Sequence, residues 1–213
     1  MSGHFEALPG GGAAVLLDEV EISILHSLAV QLLELIGPGD EPAQGEDPLA
    51  ALFQDGPSEP PADPALARLF PDAYGDDGEE LRAASAEFRR YTENDLRARK
   101  RGDALIVVRT LQRLMSAGGD SGGEGRGGPG GAEGPGGAED EGRRLELTAD
   151  ESRGWLGALN DLRLTIGTRL EVTDEDENGE LYRLPDSDPR KPMVMAYLWL
   201  GALQETLVET LMP

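Results

Sequence analysis

Hydrophobic positions along the chain recur mostly at helical spacing. Asp18 followed by Glu21 has the spacing of a capping box, and from Val20 to Ile36 the residues Ile24, Leu25, Leu28, Leu32 and Leu35 fall on one side of a helix. Gly37 and Pro38 stop it. Asp47-Pro48 and Asp63-Pro64 each set an N-cap before a proline at the first helical position, which predicts short helices through Phe53 and Phe70. Further on, Thr148 and Glu151 repeat the capping-box spacing. The helix they open carries Trp155, Leu159, Leu162, Ile166 and Leu170 on one stripe, with Leu156 and Leu164 off it. Asp188-Pro189 or Pro192 begins a last helix in which Met193, Val194, Tyr197 to Leu200, Leu203, Leu207, Val208 and Leu211 leave little polar surface. Such a helix is central to a core or shared with a second subunit. Strand signals are few: Phe5 to Leu8 and Ala13 to Leu17 about a Pro-Gly-Gly-Gly turn, and Arg143 to Leu147.

The longest stretch runs from Pro71 to Gly102. Asp76 and Asp77 offer N-cap oxygens, Glu79 and Glu80 place acid in the first turn, and Gly102 ends the helix after a basic last turn. On a helical wheel Leu81, Ala84, Phe88 and Tyr91 form an apolar face to be packed. Arg82, Arg89, Glu93, Arg97 and Lys100 form a charged side left available. Asp95 and Arg99, near the apolar face, need each other if buried. Asp103 caps a second helix with Leu105 to Val108, Leu111, Leu114 and Met115 inside. A helix-turn-helix pairing of the two fails, because the residues that should read bases are Ala104, Leu105, Ile106, Val107 and Val108, which belong in a core.

Composition sharpens this picture. Between Gly118 and Gly142, 13 of 25 residues are glycine and none is a large apolar type, so this stretch cannot fold by burial and reads as a disordered linker. No Gly-Lys-Ser/Thr follows it to make a phosphate loop. The expected organisation is a single mainly α domain, residues 1–117 with 143–213: a helical bundle with a small N-terminal β element and a Gly-rich insertion. Lys and Arg number 19 against 41 Asp and Glu, a net charge of −22 that disfavours direct DNA binding and anionic membranes. From Arg82 to Arg113, however, nine basic and four acidic residues leave a local +5, and screening over about 8 Å lets that patch act separately.

Cysteine is absent, which excludes disulfides, thiolate nucleophiles and Cys-ligated metals. No apolar run spans a bilayer and no signal peptide opens the chain, so a cytoplasmic protein is expected. His4 and His26 meet no nucleophile at a recognisable spacing. The acids Asp72, Asp76, Asp77, Glu79 and Glu80 are explained as helix-start and loop acids, so no enzyme, no cofactor and no metal is expected. Asp174, Asp176, Asn178 and Gly179 match the first half of a calcium loop, but the twelfth position, where a bidentate Glu belongs, is Pro185, and an acidic Asn-Gly turn is the better reading.

PDAY-x-DD followed by A-x-EFRR-x-TE-x-DLR-x-x-K, together with WL-x-x-LNDLRL-x-x-G-x-RL from Trp155 to Leu170, resembles the actinobacterial domain-of-unknown-function family DUF2017. Asp47 to Leu49 and Ala62 to Tyr74 add further matches. The resemblance implies an α-rich fold and a transcriptional regulator of the oxidative-stress response that acts with a stress sigma factor. Regulation in the family is tied to cysteine oxidation, from which this cysteine-free chain departs. The family motif falls on Phe88, Arg89, Arg90, Thr92, Glu93, Leu96, Arg97 and Lys100, and on Asn160, Asp161 and Arg163. Phe88 and Leu96 are expected to pack. Arg89, Arg90, Arg97 and Lys100 are expected to meet an acidic protein surface, a sigma factor or RNA polymerase, with Glu93 setting register. A structural or adaptor module is the alternative, a carboxylate-based hydrolase ranks behind both, and a homo-oligomer is expected.

Overall fold

The computed structural model describes residues 3–38, 56–75, 78–117, 142–173 and 183–212. The short helix expected after Asp47-Pro48, the caps Asp76 and Asp77, the glycine-rich stretch up to residue 141 and the Asp174 to Gly179 loop lie outside them. Strands β1 (Glu6–Leu8) and β2 (Gly12–Leu17) form a hairpin, followed by helices α1 (Glu19–Ile36), α2 (Pro64–Leu69) and α3 (Glu79–Ala117). Strand β3 (Arg143–Leu147) and helices α4 (Ala149–Arg169) and α5 (Lys191–Leu211) complete the described elements. The architecture is mainly helical with one small sheet, as the hydrophobic pattern implies.

Local chemistry sets most boundaries. Both capping boxes form: Glu21 N–H donates to Asp18 Oδ1 at 2.7 Å and Asp18 N–H to Glu21 Oε2 at 3.0 Å, while Thr148 N–H donates to Glu151 Oε2 at 2.9 Å. Asp63 caps α2 by accepting from Leu66 N–H at 2.9 Å. Gly37, at φ 86°, ends α1 in a conformation that an L side chain resists. Helix α4 ends in a Schellman motif, with Val172 N–H bonded to Gly167 O and Glu171 N–H to Thr168 O. Its left-handed position is filled by Glu171 at φ 56°, where glycine is usual.

The sheet runs β1-β2-β3, antiparallel throughout, with Ala13 opposite Leu147 and Leu17 opposite Arg143. A Cβ on Gly12 would sit 2.3 Å from Leu147 O, so this close approach requires glycine. Central strand β2 is covered by α4 and α5. Trp155 anchors the core: it is fully buried, edge-on to Phe5, and its Nε1–H donates to Thr110 Oγ1 at 2.9 Å. The α4 stripe of Trp155, Leu159, Leu162, Ile166 and Leu170 is buried throughout, as its spacing predicts.

Two expectations are corrected. On α1 the inward residues are Ile22, Leu25, Ala29, Leu32 and Ile36, while Ile24 faces out and Leu28 and Leu35 are only half-buried, because the helix is rotated toward α3 and α4. The second concerns Gly102, which does not end a helix. It lies inside α3, a single helix of 39 residues, about 58 Å long at 1.5 Å per residue. Glycine terminates a helix by adopting positive φ, and among the described glycines only Gly10, Gly11 and Gly37 do so. With Ala104, Val107, Val108 and Leu111 buried just beyond it, continuation is the lower-energy path.

Candidate functional site

The two halves of α3 bury different chemistry. The C-terminal half packs aliphatic residues against α1 and α4. The N-terminal half buries only Ser85, Arg89 and Glu93, whereas Leu81, Phe88 and Tyr91 are 40%, 48% and 63% exposed. The wheel is thus turned from the expected orientation: of its charged stripe all but Arg82 face in, and of its apolar stripe Leu81, Phe88 and Tyr91 face out. Phe88 makes one aromatic contact, edge-on to exposed Tyr74, and Tyr91 lies under the Arg90 guanidinium.

The inward charges form a continuous lattice. Arg89, 4% exposed, bonds Glu93 through Nη1 and reaches Asp72 Oδ1 at 2.7 Å and the Phe70 carbonyl at 3.0 Å through Nη2. Burial by itself would lower its pKa, but Asp72 and Glu93 outweigh it and hold the guanidinium above its ordinary value. Glu93, 3% exposed, also accepts from Arg97 Nε and Nη2 at 2.9 and 2.7 Å. Arg97 crosses to the Ile36 carbonyl at 2.8 Å and lies over the Phe70 ring, and Arg101 bonds the Gly37 carbonyl. Helix α1 has no basic residue in its last turn, so α3 supplies the cations that its C-terminal dipole favours.

Lys100 extends the lattice to α4, donating to Asp161 Oδ1 at 2.6 Å. Burial pushes the Asp161 carboxyl above its ordinary pKa, with Lys100 opposing. Asp103 is likewise raised by burial and further by Asp161, against Arg99 and Lys100. These are two neighbouring acids with displaced titrations, the arrangement a hydrolase would need. Neither lines the concavities described around Arg163 and Tyr197 or between α1 and α4. Of the acids clustered in sequence, Asp72 is engaged with Arg89, and no metal-holding group of His, Asp and Glu occurs among the described residues.

The expected partner set therefore divides. Arg89 and Glu93 are interior and Arg97 and Lys100 are largely committed to internal acids and carbonyls, so they hold the helix in place. Arg90 alone of the five is exposed. Phe88, expected to pack, belongs instead to the outward face. The i,i+4 spacing of Arg89, Glu93 and Arg97 carries the signal for an interior ladder. What it lacks is the direction in which the ladder faces.

This is a helical protein whose longest helix presents apolar residues to solvent over a charged, ion-paired underside. The chain belongs to the family described as Domain of unknown function (DUF2017), which it matches over residues 2–211. It is similar to the proteins named "Oxidative stress regulator AosR" of Mycobacterium bovis and Mycobacterium tuberculosis, with 30% identity over 198 residues, covering 90% of this chain and 78% of theirs. No solved structure matches it. Among the described residues no helix is long and apolar enough to cross a membrane.

Proposed function

We propose that this protein is a non-enzymatic, cytoplasmic regulator of the oxidative-stress response that acts by contact with a sigma factor or RNA polymerase. The observation that carries the reading is the 30% identity, over 90% of the chain, to proteins named as oxidative stress regulators. A net charge of −22 and core residues where a reading helix would need polar ones favour action through protein rather than DNA. With no cysteine in the chain, the stress signal reaches it through the partner. The contact surface is the outward side of α3, with Leu81, Phe88 and Tyr91 as apolar anchors and Arg90 beside them. Arg89, Glu93, Arg97 and Lys100 support it from beneath. The N-terminal part of α5, with exposed Met193 and Met195, is the surface for a second copy of the chain.

The test is capture of partners from stressed cell extract by wild type and by a Phe88→Ser, Arg90→Glu, Tyr91→Ser variant, followed by protein identification. Retention of a sigma factor or RNA polymerase by wild type alone supports the reading. Retention by neither removes the transcriptional role and leaves an adaptor module. Light scattering at a monomer mass would remove the α5 dimer.

A further inference from the structure

We propose that the trough between α4 and α5, centred on Arg163, binds an extended peptide segment of a partner protein that is acidic at one end and basic at the other. Two concavities of about 590 and 600 Å³ adjoin there, and both are lined by Arg163 and Tyr197. One continues past Leu198, Ala202 and Val208 to Glu205 and Glu209, and the other past Thr168 and Thr173 to Arg68. The surface is an elongated trough with a cationic end, an apolar middle and an acidic end. That shape suits an extended chain better than a compact metabolite.

The state of Arg163 is the core of the argument. Its guanidinium lies over the Tyr197 ring, 5.3 Å from the centroid, and Nη1 donates to Gln204 Oε1 at 2.6 Å. The ring in turn rests on Gly167, where a Cβ would approach Tyr197 Cε2 to 3.2 Å. The cation is thus positioned before any ligand arrives, which lowers the ordering cost of binding. No carboxylate among the described residues lies within ion-pair distance of it. Arg68 likewise has no ion pair among the described residues. Arg89, Arg97 and Lys100 all find carboxylates, whereas these two arginines on one concavity have none among the described residues and are open to an external one. Glu171 lines the same end, and the cation it acts on is Arg190.

The polarity of the trough specifies the ligand: acidic residues over Arg68 and Arg163, apolar ones over Leu198 and Ala202, and a basic one toward Glu205 and Glu209. This proposal does not depend on which process the partner serves.

Fluorescence anisotropy tests it, using full-length protein and labelled hexapeptides of two glutamates, two leucines and two lysines, made in that order and in reverse. The protein keeps Asp174 to Glu177, which follow Thr173 in sequence, so a peptide must compete with any carboxylate the chain itself supplies. One direction is expected to bind, with affinity falling as salt rises. Its glutamine-for-glutamate analogue should bind about tenfold more weakly. Arg163→Lys, which keeps the charge and loses the fork, and Arg68→Ala, an exposed change that leaves the fold intact, should each weaken binding about three- to tenfold. The proposal is overturned if wild type binds neither peptide, if the glutamine analogue binds equally, or if an Arg68→Ala, Arg163→Lys double variant keeps wild-type affinity with an unchanged melting profile. Glutarate binding as tightly as the peptide would also overturn it in favour of a small-dicarboxylate site.

Discussion

Glu93 is the residue on which the arrangement of α3 turns, because its single carboxylate neutralises two guanidiniums, one of them wholly inside. Replacing Glu93 with Ala leaves buried Arg89 with one half-exposed acid, Asp72, and Arg97 with no carboxylate among the described residues. The expected cost is about 3–5 kcal/mol by denaturant unfolding. The double variant Arg89→Leu, Glu93→Leu should lose less than the sum of the two single losses, because no uncompensated charge stays buried. Additive losses would show that the lattice is not coupled. Asp103 makes a prediction of opposite character. Its pKa is raised by burial, so the stability its proton contributes is complete below the ordinary aspartate range and disappears as pH rises through the raised value. Asp103→Asn lacks that loss. Relative to wild type the variant should gain stability as pH climbs from about 4 toward neutrality, and a gap between the two melting profiles that stays constant with pH would refute the assignment.

Among the elements, α3 shows how a helix outlasts a residue that usually stops one. Gly102 has open space where a Cβ would be and a helical backbone, so Gly102→Ala should raise stability by about 1 kcal/mol. Had Gly102 taken the left-handed conformation of a terminator, the same change would destabilise, so the sign of the shift reports whether the helix is continuous. The ends of α1 and α4 were legible because caps are local: Asp18 and Glu21, or Thr148 and Glu151, satisfy each other's backbone within one turn whatever the rest of the molecule does. The rotation of α1 and the continuity of α3 were not, since both depend on what lies across the core. Periodicity marks which residues share a face, and it assigns that face to the interior only when the interior is apolar.

At the scale of the molecule, the N-terminal half of α3 is held by charges and carbonyls contributed by α1, the segment after α2, and α4, with its aromatics left outside. Phe88→Ser with Tyr91→Ser should therefore leave the melting temperature nearly unchanged, within about 0.5 kcal/mol as for other exposed positions. The same change should abolish capture of the partner. A large loss of stability would instead place those rings in the core. Of the charged lattice, the sequence alone marked Arg89, Glu93, Arg97 and Lys100 as sharing one side of a helix, because charges at that spacing stand out, but it assigned that side to a partner and not to the interior. It also determined the mainly helical class, the capped starts of α1, α2 and α4 and the buried α4 stripe, all of which rest on interactions spanning four residues or fewer. Only the tertiary structure decided that β2 pairs with β3 from the far end of the chain and that Gly102 stays helical. Only it, too, decided that the charged side of α3 faces in while Arg163 has no acid within ion-pair distance among the described residues. Each of these depends on which groups meet across the core, where a buried arginine is tolerated if carboxylates and free carbonyls reach it and an aromatic face is turned out if they do.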